Sequence, residues 1–276
     1  MGRIIAITNQ KGGVGKTTTS VNLAATLAAA DQRVLLLDLD PQGNATMGSG
    51  VDKHDLSKTT YDVLMKQRLA SETIMPLPEL GYHLMPANAD LTAAEVQLIS
   101  ALRREYRLQD VLRPVREQYD YLLIDCPPSL NMLTVNALVA AQGVIIPMQC
   151  EYFALEGLSA LVQTIESVRE SVNPQLRIEG LLRTMYDPRN NLSRDVSEQL
   201  LNHFGEQVYR AVIPRNVRLA EAPSHGLPIL HYDKGSRGSL AYLALAAEML
   251  HQERQGDKSR KAATESAEQA SSLCPS

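Results

Sequence analysis

The residues with the clearest potential for chemistry form a glycine-rich segment near the start of the sequence. Residues 11–18 read KGGVGKTT, after a short apolar run at residues 4–7 and before a run with helical character at residues 21–27. Glycines let the backbone curl so that several N–H groups face one phosphate, and the following helix directs the positive end of its dipole to the same point. The segment therefore predicts a phosphate-binding loop between a strand and a helix.

Two side chains of this loop have specific chemical potential. Lys16 is placed to interact with the β- and γ-phosphates of a nucleotide, and the Thr17 hydroxyl is a suitable ligand for Mg²⁺. The predicted nucleotide-binding residues of the loop are Lys11, Gly12, Gly13, Val14, Gly15, Lys16, Thr17 and Thr18.

The loop departs from the usual pattern at its front. The common pattern has glycine at the position of Gln10, and here an additional lysine, Lys11, follows it. An isolated loop lysine is commonly a solvated surface residue. Inside a phosphate-binding loop, however, we favour a role for Lys11 at the nucleotide.

Acidic residues end two further runs that are typical of buried parallel strands. Residues 33–39 read RVLLLDL, and residues 121–125 read YLLID. The carboxyl ends of parallel strands meet at one edge of a sheet, where ligands bind. We expect Asp125 to hold the Mg²⁺ shell, although an acid at a strand end can also cap a turn. Asp40 is the candidate that orients or deprotonates a water; Asp38 competes for this role, or both acids contact the metal through water.

Size and composition indicate one globular domain. A chain of 276 residues, 44% of them hydrophobic, can bury one substantial core. Strand-like and helix-like runs alternate along it, which predicts an α/β fold with a doubly wound, mostly parallel sheet of the P-loop NTPase type. We expect this domain at residues 1–251 and a disordered tail at residues 252–276, which are polar and balanced in charge.

The alternation also predicts element boundaries. Strands are predicted at residues 4–7, 33–39, 82–86, 121–125, 143–148, 176–184 and 208–213. Helices are predicted at residues 21–27, 92–106, 131–141, 155–172, 194–204 and 239–251. Thr92 and Glu95 are expected to form a capping box at the start of the second helix. Residues 51–80 give weak signals.

Composition does not favour several classes of protein. No apolar run approaches the roughly 20 residues of a membrane helix, and polar residues 9–11 interrupt the first apolar run too early for a signal peptide. Three cysteines without metal-binding spacing are typical of a reducing, cytoplasmic environment. A net charge of −4 does not favour general coating of nucleic acid but leaves a local basic patch open.

Four motifs together resemble one family. The lysine-first loop at residues 11–18, DLDPQGN at residues 38–44 and DCPPS at residues 125–129 are similar to the deviant Walker A ATPases of the ParA/MinD group. IPRNVRLAEAPS at residues 213–224 narrows the resemblance to the ParA/Soj chromosome-partitioning branch. The resemblance covers residues 3–251.

The resemblance implies a cycle of ATP binding and hydrolysis with Mg²⁺. Members form an ATP-dependent homodimer with the nucleotides between the subunits. It implies that Lys11 reaches the partner's ATP, that Gly12 lies where the subunits pack, and that Asp40 is required for hydrolysis. It also implies that the ATP-bound dimer binds double-stranded DNA without sequence preference on the nucleoid. A ParB/Spo0J-type activator then stimulates the slow hydrolysis and releases the dimer.

The charge distribution is compatible with DNA binding but does not require it. Residues 181–240 contain eight basic and six acidic residues, whereas the whole chain is negative. Such a small excess is also typical of a solvated surface. By resemblance, Arg189 and Arg218 are the DNA-contacting residues, with Arg215 as a third candidate. The family places residues 214–216 near the adenine, which implies Pro214 and Asn216 as nucleotide-binding residues and leaves Arg215 open to either role.

Three alternatives remain on the same scaffold. A membrane-associated, MinD-like regulator needs an apolar tail helix, and the tail here offers only Leu273 beyond its alanines, so we expect no membrane partner. An iron–sulfur reductase needs two cysteines per subunit at a shared cluster, and only Cys126 stands at a suitable place. A positioning ATPase for another cargo stays open, because the partner determines the cargo.

Overall fold

The computed structural model describes the backbone of residues 2–272 and the side chains of residues 2–255. Its centre is one eight-stranded sheet. The strands are β1 (Arg3–Ile7), β2 (Val34–Asp38), β3 (Met75–Leu77), β4 (Tyr82–Met85), β5 (Tyr121–Asp125), β6 (Gly143–Gln149), β7 (Arg177–Tyr186) and β8 (Val208–Pro214).

The strand order in the sheet is β3-β4-β2-β5-β1-β6-β7-β8. Only the edge pair of β3 and β4 is antiparallel, and all other neighbours are parallel. Helices connect the parallel strands and cover both faces, as crossover connections require. The predicted α/β fold with a doubly wound, mostly parallel sheet is confirmed.

Helices of very different length surround the sheet. They are α1 (Lys16–Ala28), α2 (Asn44–Gly48), α3 (Thr60–Leu64), α4 (Ala70–Thr73), α5 (Leu91–Ile99), α6 (Arg107–Leu112), α7 (Met132–Ala140), α8 (Ala154–Ser171), α9 (Asn191–Phe204), α10 (Val217–Glu221), α11 (Ile229–Tyr232) and α12 (Arg237–Ser272). Four short 3₁₀ turns accompany them within the described residues.

Alternate residues of the central strands supply two separate apolar cores. In β1, Ile4 and Ala6 belong to the core beneath α5 to α8, whereas Ile5 and Ile7 belong to the core beneath α1 and α12. This period of two is the geometry of a strand buried on both faces. The central strands are therefore buried on both faces of the sheet.

Strand register sets the positions of the acidic residues. Asp38 at the end of β2 is the direct partner of Asp125 at the end of β5, and Asp125 is the partner of Ile7 at the end of β1. Partners across parallel strands point to the same face of a sheet. Both carboxylates therefore lie on the face covered by α1, beside the loop that connects β1 to α1.

The structure differs from the sequence prediction in the segment between β4 and β5. The predicted helix at residues 92–106 is interrupted: α5 ends at Ile99, Arg103 lies in the left-handed region at a φ of 54°, and a 3₁₀ turn covers residues 104–106. Helix α6 begins only after it. Helix α5 begins at Leu91, so Thr92 is not its N-cap, and the predicted capping box is wrong. Glu95 instead accepts a hydrogen bond from the Asn131 amide at 2.5 Å.

The backbone of the last helix extends into the segment for which a tail is predicted. The backbone of α12 stays helical through Ser272, although a disordered tail was expected from residue 252. That expectation rested on the lack of core-forming residues, whereas alanine, glutamate, glutamine and lysine favour helix irrespective of burial. Leu273 and the three residues after it lie outside the described part. No helix in the described part is long and apolar enough to cross a membrane.

Close packing between β7 and β8 generates a prediction for stability. A Cβ atom on Gly180 would lie 2.3 Å from the ring of Tyr209, which is 1% exposed. Because a buried ring cannot move freely, we expect Gly180→Ala to lower the free energy of unfolding by about 1–3 kcal/mol in denaturant titration. Gly157→Ala is the matched control, since a Cβ there meets no atom within 4 Å and helix α8 favours alanine. Equal stability of the two variants would contradict this description of the packing.

Candidate nucleotide-binding site

The loop between β1 and α1 has the geometry of a phosphate cradle. Gly13 and Gly15 adopt left-handed backbone conformations, with φ angles of 73° and 88°, that other residues rarely adopt. Gly15 occupies the N-cap position of α1, and no side chain caps the helix. The first amides of α1 therefore remain free to donate hydrogen bonds to an anion.

Lys16 lies at the centre of this cradle. The residue is 6% exposed, and its Nζ donates a hydrogen bond to the carbonyl oxygen of Lys11 at 3.1 Å. Burial lowers the pKa of Lys16, and the charges of Asp125 and Asp40 oppose this effect. The ammonium group is thus positioned between the loop and the strand-end acids.

Asp38 and Asp125 are both completely buried. Asp38 accepts hydrogen bonds from the backbone N–H and the hydroxyl of Thr46 at 2.8 and 2.7 Å. Asp125 accepts one from the hydroxyl of Ser20 at 2.8 Å. Burial raises the pKa of both carboxyls, and the negative charge of Asp38 raises that of Asp125 further. Two adjacent buried carboxylates favour a site for positive charge.

Asp125 offers an unused ligand atom. Its Oδ2 is buried and has no hydrogen-bond partner in the described part of the chain. Thr17 is partly exposed at the start of α1, and its side chain lowers the pKa of the same carboxyl. An oxygen-rich position with one acid and one hydroxyl fits Mg²⁺, which commonly takes one or two protein ligands together with phosphate oxygens. No group of three or more His, Cys, Asp or Glu side chains that could hold a metal alone is found among the described residues.

Asp40 is placed differently from the other two acids. It is 6% exposed and follows the end of β2, and its Oδ1 accepts a hydrogen bond from the N–H of Gln42 at 2.9 Å. Within the described residues, no hydrogen bond engages its Oδ2. Asp40 therefore keeps one carboxylate oxygen without a hydrogen bond from residues 2–255, and it lies near enough to Lys16 for its charge to act on the pKa of that lysine.

Lys11 is engaged within its own chain. Its Nζ lies 2.5 Å from Oε2 of Glu151, in the loop between β6 and α8, and both side chains are nearly half exposed. Its backbone N–H donates to the side chain of Asn9 at 3.0 Å. The structure thus places Lys11 on the surface beside the cradle, where Gly12 is also exposed and a Cβ would meet no atom within 4 Å.

A cleft next to the cradle joins the loop to the ends of β7 and β8. Pro214, Asn216 and Arg215 line it, which places these three predicted residues beside Gly15. The lining also includes Thr18, Thr184, Met185, Ile213, Leu219, Ala220 and Tyr242. Its mixture of apolar surface and few polar groups is suited to a planar base, and we refer to it below as the base-sized cleft. Asn216 Oδ1 accepts from the N–H of Leu219 at 3.1 Å, so this oxygen serves to start α10.

Several residues of the site carry no local sequence signal. Ser20 belongs to α1 but faces Asp125, and Thr46 belongs to a helix of five residues. Thr184 and Tyr242 reach the cleft from β7 and α12, more than 150 residues after the loop. Ser20 could have been found, because it follows Lys16 by four residues and therefore lies on the same face of the helix.

The three predicted DNA-contacting arginines are exposed, and two of them are already paired. The guanidinium of Arg189 donates two hydrogen bonds to Asp187 at 2.9 and 2.8 Å, and this side chain is 88% exposed. Arg218 lies 2.8 Å from Glu221. Arg215 lines the base-sized cleft, so its position also suits the nucleotide. Arg189 and Arg218 are therefore paired with carboxylates in the single chain.

Comparisons with known proteins agree with the geometry. The family model described as an AAA domain matches residues 2–178. The chromosome partitioning protein ParA of Caulobacter vibrioides is 53% identical over 263 residues, which cover 95% of this chain and 98% of that protein. The sporulation initiation inhibitor protein Soj of Bacillus subtilis is 53% identical over 249 residues, covering 90% of this chain and 98% of that protein.

A solved structure shows the same architecture with ligands. The cobyrinic acid a,c-diamide synthase of Mycobacterium smegmatis, with bound ADP and magnesium, is 38% identical and superposes with a TM-score of 0.82 over 93% of this chain and 97% of that one. Since the identity to ParA and Soj is higher and extends over nearly the whole chain, the sequence resemblance is confirmed. This protein belongs to the ParA/Soj family of chromosome-partitioning ATPases.

Proposed function

We propose that this protein is an ATP-dependent switch for DNA partition. Binding of ATP with Mg²⁺ produces a homodimer that binds double-stranded DNA without sequence preference and so associates with the nucleoid in the cytoplasm. A ParB/Spo0J-type activator stimulates slow ATP hydrolysis and releases the dimer. The observation that carries the proposal is the convergence of the glycine-rich loop, Lys16 and three strand-end acids at one edge of the sheet.

Each residue of the site has a role in this proposal. Lys16 and the loop amides neutralise the β- and γ-phosphates, and Thr17 and Asp125 hold Mg²⁺, which supplies further charge neutralisation when bound. Asp38 contacts the metal shell through water, and Asp40 orients the attacking water. Pro214 and Asn216 contact the adenine in the cleft beside Gly15.

Lys11 must change partner for the dimer to form. In the single chain it is paired with Glu151, and in the proposed dimer it contacts the ATP of the other subunit. An exposed ion pair contributes little to stability, because water and salt screen it. Exchanging a carboxylate for the phosphates of ATP is therefore energetically accessible, and Gly12 leaves room for close approach of the partner.

The same reasoning applies to DNA binding. Arg189 and Arg218 are exposed, and their partners Asp187 and Glu221 are exposed enough for solvent to screen these pairs. Phosphate groups of DNA can replace such carboxylates, with a strong dependence on salt. A dimer doubles the number of these contacts, which explains why DNA binding would depend on ATP.

The nucleotide dependence of DNA binding tests the proposal. We expect binding of a random-sequence duplex with ATP and Mg²⁺, and at least tenfold weaker binding with ADP or without nucleotide. Fluorescence anisotropy at several salt concentrations measures this difference. Equal DNA affinity in all three states, or no affinity in any, would contradict the proposed switch.

Substitution of Asp40 separates hydrolysis from binding. In Asp40→Ala the water-orienting carboxylate is lost, so we expect turnover to fall by at least 100-fold, while ATP and DNA binding persist. Phosphate release and nucleotide titration measure the two properties. Asp52→Ala, on the exposed loop after α2, is the matched control and should retain turnover. Normal hydrolysis by Asp40→Ala would reject the role of Asp40.

Charge reversal tests the DNA surface. Arg218→Glu should still bind ATP and dimerise, but its DNA affinity should fall at least tenfold at moderate salt, because an attractive contact becomes repulsive. Arg113→Glu makes the same change in net charge at an exposed position far along the chain from this surface. If both variants lose DNA binding equally, the effect is one of net charge and the assignment to Arg218 is wrong.

A further inference from the structure

Thr184 connects strand β7 to the phosphate loop. The residue is 2% exposed, and its hydroxyl donates a hydrogen bond to the carbonyl oxygen of Val14 at 2.7 Å. The two residues are 170 positions apart, and β6 separates their strands in the sheet. The contact therefore fixes one specific peptide group of the loop from a distant, rigid element.

The bound peptide is the one between Val14 and Gly15. In a planar trans peptide, the C=O and the N–H point in opposite directions. A hydrogen bond that holds the Val14 oxygen toward β7 therefore directs the Gly15 N–H away from β7. Gly15 is the N-cap of α1, so this N–H belongs to the set of free amides that faces the cradle.

The side chain of Thr184 lies beside the same residue. A Cβ on Gly15 would lie 3.7 Å from Cγ2 of Thr184, so the two residues are neighbours in space. Gly15 has a φ of 88°, and glycine can adopt several other backbone conformations without steric conflict. A loop with such freedom needs an external contact to keep one conformation before its ligand arrives.

We propose that Thr184 is a positioning residue for the phosphate loop, whose hydroxyl holds the Val14–Gly15 peptide so that the Gly15 N–H is directed to the bound phosphates. The inference rests on the proposed ATP binding and goes beyond it. Thr184 also lines the base-sized cleft together with Thr18 and Gly15. One side chain thus joins the two halves of the nucleotide site.

The test removes the hydroxyl and keeps the shape. Thr184→Val should weaken binding of ATP with Mg²⁺ and of inorganic tripolyphosphate by about tenfold in calorimetric titrations, because one intramolecular hydrogen bond no longer orders the loop. Thr184→Ser keeps the donor and should bind both within about twofold of the wild type. In Thr184→Val, which keeps the shape of the side chain in the cleft, binding of adenosine, which has no phosphate, should change much less than binding of ATP or tripolyphosphate.

The outcomes distinguish the inference from the function on which it rests. Failure of the wild type to bind ATP would reject the proposed function. Wild-type affinity in Thr184→Val, or an equal loss in Thr184→Ser, would overturn the positioning role while leaving ATP binding intact. If Thr184→Val does not fold, Thr184→Ala removes the same hydroxyl without adding a methyl group, and the same affinities decide.

Discussion

The structure depends on the burial of two carboxylates side by side. Asp38 and Asp125 are register partners on adjacent strands, and both are shielded from solvent. Isolated buried charges are costly, and a neighbouring charge of the same sign increases the cost. Hydroxyl and backbone donors from Ser20 and Thr46 compensate only part of it, since Asp125 Oδ2 keeps no partner among the described residues. Positive charge beside these carboxylates would compensate the remaining cost.

The need for positive charge beside Asp38 and Asp125 explains which groups surround them. Lys16 supplies one buried cation, and the amides at the start of α1 add partial positive charge beside it. Asp38 is hydrogen-bonded to α2 through Thr46, and Asp125 is hydrogen-bonded to α1 through Ser20, so the two carboxylates connect both helices to the sheet. The exposed pairs of Lys11, Arg189 and Arg218 lie outside this centre and are weak enough to exchange partners. A strongly constrained centre with exchangeable surface contacts is suited to a nucleotide-controlled switch.

The sequence predicted the central part of the fold because the signals there are local. Apolar runs that end in Asp38 and Asp125 define buried parallel strands, and the glycine-rich loop defines the start of α1. The pairing of β2 with β5 agrees with these positions, because both acids end their strands and are register partners. The signals were weaker where structure depends on distant contacts. Thr184, Met185 and Tyr242 reach the base-sized cleft from elements far along the chain, and their residue types are common in any core.

Errors in the prediction also have physical causes. Thr92 and Glu95 fit a capping box by spacing, but Glu95 bonds to Asn131 and the helix starts earlier. In the weak region after residue 51, Asp62 accepts from the N–H of Thr59 at 2.7 Å, a true capping interaction whose spacing was readable.

The most direct test of this account is the magnesium dependence of ATP binding. Calorimetric titration should give one ATP per chain, with an affinity that rises at least tenfold when Mg²⁺ replaces EDTA in the buffer. In Asp125→Asn, which keeps the shape but removes the charge, this dependence should largely disappear. Equal affinity of the wild type with and without Mg²⁺, or full magnesium dependence in Asp125→Asn, would contradict the claim that the buried acids form a cation site.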